Sequence, residues 1–290
     1  MNYEFHSGAE LCALCRRENI TMGEVMLRNE MEQSELPRKQ VVAQMQSHLE
    51  VMRASIQKGL DPARPFHGMF TGGDAVKLAA FAPRCNMGPE LAEVVAASMA
   101  VVEVNASMGK IVAAPTAGAS GILPAVLTVI GPRKGAGDDT LCEALFAAGA
   151  VGCVIAENAS IAGASGGCQA ETGTAAAMAA AALAQLCGAD AETALHAAAI
   201  ALKNILGLVC DPVGGLVECP CEKRNAIGAV NAVLSCDLAL AGIQSLIPFD
   251  EVVAAMANVG RQMNADLRET ARGGLASTPT AQRLASQMNA

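Results

Sequence analysis

The hydrophobic half of this chain contains almost no rings. Hydrophobic residues make up 52% of the sequence, yet it holds six Phe, one Tyr and no Trp. Such a core has to be filled by Ala, Leu, Val, Ile and Met. Side chains this small fill space at protein density only when the backbones carrying them come close, which suits packed helices. Size sets no limit, since a chain of 290 residues buries roughly three quarters of its unfolded surface on folding. No stretch shows sustained two-residue alternation with β-branched and aromatic enrichment. The best strand candidates, Ile111–Val112 and Val126–Ile130, are short. The expected class is all-α.

Helix signals are frequent. Ser7 with Glu10, Thr21 with Glu24 and Thr140 with Glu143 have the spacing of capping boxes. Pro37 suits a first helical position, and Val41, Val42, Met45, Leu49, Met52 and Ile56 follow at helical spacing up to a stop at Gly59. Further helices are expected over Pro89–Ser107, 140–156, 172–187, 190–206, 222–243, 248–263 and 279–288, with Asp190 as an N-cap and Gly207 just past a helix end. No internal repeat, low-complexity tract or long linker divides the chain. Gly131–Asp139 (GPRKGAGDD) reads as an exposed connection, so one large domain over residues 1–290 is expected.

Composition removes several function classes. With 20 Lys+Arg against 28 Asp+Glu, the net charge is -8, and no basic run or set of stacking aromatics is present, so nucleic acid is not expected as a partner. The mean hydropathy is positive. However, Ile111–Pro132 is interrupted by Pro and small polar residues, and Thr172–Ala189 is mostly Ala, so neither reads as a membrane span. The N-terminal MNYEFHSGAELC lacks the basic and apolar regions of a signal peptide. A cytoplasmic protein without membrane association is expected.

That expectation makes the 11 cysteines a problem, because a reducing compartment argues against a disulfide framework and the count is odd. Cys12 and Cys15 form a C-x-x-C on an apparent helix, with no second pair or His pair nearby, and read as packing. Gly109–Lys110 lacks the upstream Gly of a phosphate loop, and Gly135 and Gly137 lack the strand of a dinucleotide turn. His6, His48, His67 and His196 are scattered. Cys210, Cys219 and Cys221 differ, because they fall in a Pro- and Gly-broken segment, CDPVGGLVECPC, that cannot be a regular helix. Cys168 lies in a second Gly-rich loop, SGGCQAETG. Thiolates in irregular loops suit iron–sulfur clusters, zinc or copper(I). Buried Cys also serves as a small hydrophobe, and spacing alone leaves both readings open.

Four segments together resemble a known family. They are TGGDAVKL at Thr71–Leu78, EVNASMGKIVAAPTAGASGILP at Glu103–Pro124, NASIAGASGGCQAETG at Asn158–Gly173 and GLVCDPVGGLVECPCEKRNA at Gly207–Ala226. Their order and length resemble the α chain of bacterial iron–sulfur-dependent L-serine dehydratase, and the likeness continues through LRETARGGLASTPT at Leu267–Thr280. The resemblance implies a lyase of amino-acid degradation, feeding gluconeogenesis, that converts L-serine to pyruvate and ammonia. It implies a [4Fe–4S] cluster with one open iron, held by Cys168, Cys210 and Cys221. Cys219 stands where the family usually has an apolar residue and is expected to be a bystander. The other seven cysteines are expected to pack.

Lys77 is a candidate partner for the substrate carboxylate, against the plainer reading of a solvated helix Lys. Asn105, Thr116, Ser120 and Asn158, with the backbone N–H groups of Gly118 and Gly166, are candidate contacts to substrate or cluster, or serve turns alone. Arg224 and Asn225 are candidate supports behind the ligands. Single-chain members of the family carry a Ser-Ser-Ser-His-Thr stretch, absent from this sequence, whose His is a candidate base. The resemblance therefore implies a separate β chain as partner. The ending ASQMNA offers no terminal cysteine to cap the open iron. A pyridoxal-phosphate dehydratase is the competing enzyme class, but the all-α pattern and the thiols argue against it, so no pyridoxal phosphate is expected.

Overall fold

A computed structural model describes residues 2–63 and 68–288; His67 lies outside the described residues. Within them are 13 α-helices and no strand. They are α1 (Gly8–Glu18), α2 (Met22–Ser34), α3 (Arg38–Gly59), α4 (Asp74–Phe81), α5 (Pro89–Ala106), α6 (Ile122–Arg133), α7 (Asp138–Asn158), α8 (Gly163–Gly166), α9 (Thr174–Leu186), α10 (Ala191–Lys203), α11 (Cys221–Leu240), α12 (Phe249–Gln262) and α13 (Pro279–Gln287).

The ring-poor composition finds its explanation in α9, TAAAMAAAALAQL. Every residue from Thr174 to Ala184 is buried, and α6, α7, α10 and α11 pack around it. Ala is the best helix former and loses no side-chain entropy on burial, so a wholly surrounded helix is built from it at little cost. Backbones touch elsewhere too. A Cβ at Gly59 of α3 would lie 2.4 Å from the Ala100 carbonyl of α5, and one at Gly23 of α2 would lie 2.3 Å from the Glu143 carbonyl of α7. Leu11, Leu49, Ile122, Leu127, Leu141, Ile155, Leu202 and Met256 fill the space between helices and are wholly buried.

The ends follow local chemistry. The Ser7 hydroxyl accepts from Glu10 N at 3.1 Å while the Glu10 carboxylate accepts from His6 N at 2.7 Å. Thr21 accepts from Glu24 N at 3.1 Å and Asp190 from Thr193 N at 2.8 Å. The Thr140–Glu143 capping box does not form. Helix α7 starts two residues earlier at Asp138, and Glu143 instead accepts the Thr21 hydroxyl at 2.6 Å. The strand candidate Val126–Ile130 lies inside α6, and Ile111–Val112 is an extended connection. Both faces of α6 are largely buried, which removes the alternation that would mark it in sequence. Among the described residues one helix, α7, is long and apolar enough by length and composition to cross a membrane; 61% of its apolar window is buried inside the fold.

Candidate active site

Three thiols approach one another from three separate segments. Cys168 follows the short α8 and leads through a π-helical turn, Gln169–Gly173, into α9. The turn before it requires glycine. Gly167 has φ +78°, and a Cβ there would lie 2.6 Å from Met263 Sδ and 2.9 Å from the Leu208 carbonyl. Cys210 lies in the loop after α10 and is held by a parallel bridge to Arg268. Its N–H donates to Leu267 O at 2.8 Å, and its carbonyl accepts from Glu269 N at 2.7 Å. Cys221 is the first residue of α11.

Gln169 ties the first two segments together. Its amide N–H donates to Leu208 O at 2.9 Å, its side-chain oxygen accepts from Gly207 N at 2.9 Å and its side-chain nitrogen donates to Met256 O at 3.1 Å. Arg224 and Asn225, the candidate supports, bond to the backbone next to Cys210 and at Cys221. The Arg224 guanidinium pairs with Asp211 at 2.8 Å, nearly sealed from solvent, and donates to Val209 O at 2.7 Å. Asp211 in turn accepts from Leu275 N at 2.7 Å. Asn225 is wholly buried. It accepts from Gly121 N at 2.9 Å and donates to Gly118 O at 2.7 Å and Cys221 O at 2.9 Å, pinning the small-residue loop before α6 onto α11.

The electrostatics are those of a buried acidic site. Burial pushes all three thiols up, Cys221 to about 12. Cys210 is pushed further by Glu171, Cys168, Glu269 and Cys221, whereas Arg224 pulls Cys168 and Cys221 the other way. Cys168 Sγ lies 3.1 Å from the Thr172 hydroxyl. Burial also raises the Glu171 carboxyl, against a 2.8 Å hydrogen bond from the Thr116 hydroxyl. The pocket wall beside Cys210 is Gly163, where a Cβ would lie 2.9 Å from Cys210 Sγ, 2.8 Å from Glu171 Oε2 and 3.2 Å from Glu269 Oε2.

The donor set fits an iron–sulfur cluster. Three soft sulfur donors act on one another, and the Cys210 sulfur faces a narrow space beside Gly163 that a single methyl group would fill. Arg268 Nε, on the residue bridged to Cys210, is a buried donor without a partner among the described residues, as suits an acceptor-rich group nearby. Among the described residues no three His, Cys, Asp or Glu side chains are gathered as for a single metal ion. The ligands of a four-iron cluster would stand further apart than those of a single ion.

The remaining candidates divide. Thr116 reaches the site through Glu171. Ser120 is wholly buried and donates to Ala117 O at 2.8 Å, shaping its own loop. Asn158 donates to His6 O at 2.8 Å and Val154 O at 2.9 Å, holding the N-terminal segment against α7. Asn105 lies at the end of α5, where its carbonyl accepts from Met108 N at 3.0 Å. Lys77 is 74% exposed and pairs with Asp74 at 2.8 Å. Cys219 is half-buried, between the segments of Cys210 and Cys221 in the chain. Cys12, Cys15, Cys142 and Cys236 pack in the core and half-buried Cys187 packs against it, whereas Cys85 is half-buried and Cys153 is exposed. Of the described histidines, His6 bonds Glu157 at 2.7 Å, His196 accepts from Ser245 N at 3.3 Å and His48 is exposed on α3.

Glu171, Glu269 and Glu218 did not stand out in the sequence. Glu171 was the legible one, as the lone charge in an otherwise uncharged run from Asn158 to Ala189. Glu218 is buried and accepts from the backbone N–H groups of Met69, Phe70 and Thr71 at 2.7–3.0 Å, which fixes the TGGD loop. Glu103 does the same for the start of α4, accepting from Asp74 N at 2.6 Å and Ala75 N at 3.0 Å.

An all-helical, ring-poor frame brings three thiols, two of them buried and Cys221 half-buried, together beside a carboxylate, the donor set of a candidate thiolate site. Comparison with known proteins gives the family. The family described as "Serine dehydratase alpha chain" matches residues 17–276, and the chain belongs to it. It is 48% identical over 282 residues to the "Probable L-serine dehydratase, alpha chain" of Bacillus subtilis, covering 97% of this chain and 94% of the relative. It is 43% identical over 281 residues to the "L-serine dehydratase, alpha chain" of Peptoniphilus asaccharolyticus, covering 96% of each. Against the "L-serine dehydratase" of Streptomyces coelicolor the identity is 38% over 285 residues, covering 95% of this chain but 61% of that longer relative.

Proposed function

We propose that this chain is the catalytic α chain of an L-serine dehydratase that eliminates water from L-serine, and that a [4Fe–4S] cluster on Cys168, Cys210 and Cys221 serves the reaction. The observation that carries the reading is the approach of these three thiols within one buried site. The relatives' names supply the substrate. When bound, a cluster with three protein ligands supplies a Lewis-acidic iron with an open position, suited to a poor leaving group such as hydroxide. Overall, loss of the α-proton and of hydroxide gives aminoacrylate, whose imine tautomer hydrolyses to pyruvate and ammonia.

The chain's own residues bind and orient. Gln169 and the bridge to Arg268 fix the backbone on either side of the thiols, and Arg224 braces the Cys210 loop through Val209 O. Arg268 Nε is a free buried donor suited to an anionic acceptor. Thr116 holds Glu171 in one orientation. None of the described histidines joins this group, which is consistent with a general base supplied by a separate β chain. A cytoplasmic setting accords with thiols kept reduced.

Anaerobic purification with iron and sulfide analysis tests the reading. Broad visible absorbance lost with iron and sulfide is expected, and a sharp band restored by pyridoxal phosphate would overturn it. Cys168→Ala, Cys210→Ala and Cys221→Ala should each lose cluster and pyruvate formation, while Cys219→Ala keeps both. A full complement of iron in Cys210→Ala would refute the ligand assignment. Full-rate dehydration by this chain alone would refute the two-chain arrangement.

A further inference from the structure

A second thiol site lies away from the first. A cavity of about 740 Å3 opens between α5, α6, the end of α9 and α11, with Val94, Ile130 and Val233 among its apolar walls. Cys187, the residue that caps α9, lines this cavity. Lys134 and Asp237 also line it, and both act on Cys187. Behind Cys187, on the packed α9–α11 interface, Cys236 is wholly buried, between the cavity-lining Val233 and Asp237 in the chain, and the two thiols act on each other.

That arrangement separates the roles of the two sulfurs. The hydrogen bond from Cys236, helped by Lys134 and opposed by burial and Asp237, holds Cys187 down to about 7. The same bond and burial push Cys236 far up, so its proton is the one retained. One sulfur therefore lines the cavity, and the other lies behind it, shielded from solvent. Pairs built like this, with an accessible thiolate beside a resolving thiol, are the ones that oxidise selectively.

We propose that Cys187 and Cys236 form a peroxide-reactive dithiol, in which Cys187 attacks a hydroperoxide entering the cavity and Cys236 resolves the product as a disulfide. In the first step the Cys187 thiolate attacks one peroxide oxygen. The O–O bond breaks, the alkoxide leaves with the electron pair and takes a proton from solvent, and Cys187 becomes a sulfenic acid. In the second step the Cys236 sulfur attacks Cys187, an S–S bond forms, and the sulfenic hydroxyl leaves with the Cys236 proton as water. Two thiols and one hydroperoxide thus give one disulfide, one alcohol and one water. The bond would tie the end of α9, which begins beyond Cys168, to α11, which begins at Cys221.

The test uses thiol chemistry on the full chain, so its outcome does not depend on the proposed iron–sulfur function. The chain is treated anaerobically with one equivalent of hydrogen peroxide, quenched with N-ethylmaleimide, digested and mapped by mass spectrometry. The expected major product links the Cys187 and Cys236 peptides, with Cys153 and Cys85 recovered alkylated. In Cys236→Ala, dimedone should trap a sulfenic acid at Cys187. Before oxidation, Cys187 should react with maleimide at pH 7 about fivefold faster than an ordinary thiol, its greater thiolate fraction being partly offset by weaker nucleophilicity. Recovery of Cys187 fully alkylated after peroxide, or linked mainly to a cysteine other than Cys236, overturns the proposal. So does failure of dimedone to label Cys187 above Cys153 in Cys236→Ala.

Discussion

Replacing Gly163 by Ala inserts one methyl group between Cys210 and the carboxylates of Glu171 and Glu269. The new carbon would lie 2.9 Å from Cys210 Sγ, 2.8 Å from Glu171 Oε2 and 3.2 Å from Glu269 Oε2. Non-bonded contacts of this kind are comfortable at about 3.5–4.0 Å, so the sulfur has to retreat by roughly 0.6–1 Å. Metal–ligand geometry tolerates only about 0.2 Å, so cluster loading should fail even though the chain folds. The fold itself should survive, because Gly163 opens α8 and its φ is not in the left-handed region. Crowding of about 1–3 kcal/mol is partly offset by up to about 1 kcal/mol gained from Ala in a helix. The net cost is therefore about 0–3 kcal/mol, or up to several degrees in Tm. The control is Gly149→Ala in α7, where the added carbon meets only Met26 Cγ at 3.8 Å. That variant should melt higher than the parent and keep its iron. Iron and sulfide per chain after anaerobic reconstitution, pyruvate formation and thermal melting distinguish the two. Parental iron content and activity in Gly163→Ala would show that the methyl does not enter cluster space, and would refute the assignment of that space.

The other predictions concern the supports. Asn225→Ala removes three buried hydrogen bonds and should cost about 2–4 kcal/mol in denaturant melts, with reduced iron loading. A change below about 1 kcal/mol would mean that the loop before α6 is held by other contacts. Glu222 is wholly buried, and burial raises its carboxyl from 4.5 to about 7. A raised carboxyl favours the protonated fold, so its contribution is full below pH 4.5 and is lost as pH rises towards 7 and beyond, by up to about 3 kcal/mol. Glu222→Gln should therefore gain in Tm over the parent at pH 8 relative to pH 5, and an equal difference at both pH values would exclude this cause. Glu218→Ala leaves the N–H groups of Met69, Phe70 and Thr71 unpaired, so hydrogen exchange at these three amides should accelerate at least about tenfold while exchange in α9 stays unchanged.

Helices with an amphipathic stripe or a cap were readable in the sequence. Asp190 and the run after Pro37 mark α10 and α3 because a side-chain cap or an apolar face sits in consecutive residues. Helix α6 was not readable, since ILPAVLTVI is buried on most sides and its β-branched residues mimic a strand. Spacing could single out Cys168, Cys210 and Cys221 only as thiols in irregular loops. Their convergence depends on long-range pairing, the Cys210–Arg268 bridge above all, which no local pattern encodes. The carboxylates were harder still. Glu218 and Glu103 look like surface charges in sequence, yet each is buried with its charge spent on backbone N–H groups of a distant loop. The Cys187–Cys236 contact was hidden among packing residues for the same reason, because it appears only once α9 and α11 are side by side.

The charge balance of the site explains why its supports are neutral or internally paired. Three thiols and Glu171 share one largely buried region beside the exposed Glu269, and the guanidinium that acts on two of those thiols, Arg224, is already committed to Asp211. With all three thiols ionised and nothing bound, the site would concentrate negative charge at low dielectric, and burial instead holds the thiols protonated. A group that displaces those protons has to bring positive charge and form direct bonds to sulfur, which is what a thiolate-ligated metal centre does. Hydrogen-bonding amides such as Gln169 and Asn225 can hold the surrounding backbone without adding to that charge. An Ala-packed helix beneath them gives the thiols a support whose side chains have almost no rotamers to change. The scarcity of rings in the core thus serves the site by giving the thiols a rigid cradle, in which Arg224 is committed to Asp211 and Arg268 Nε is left as a donor without a partner among the described residues.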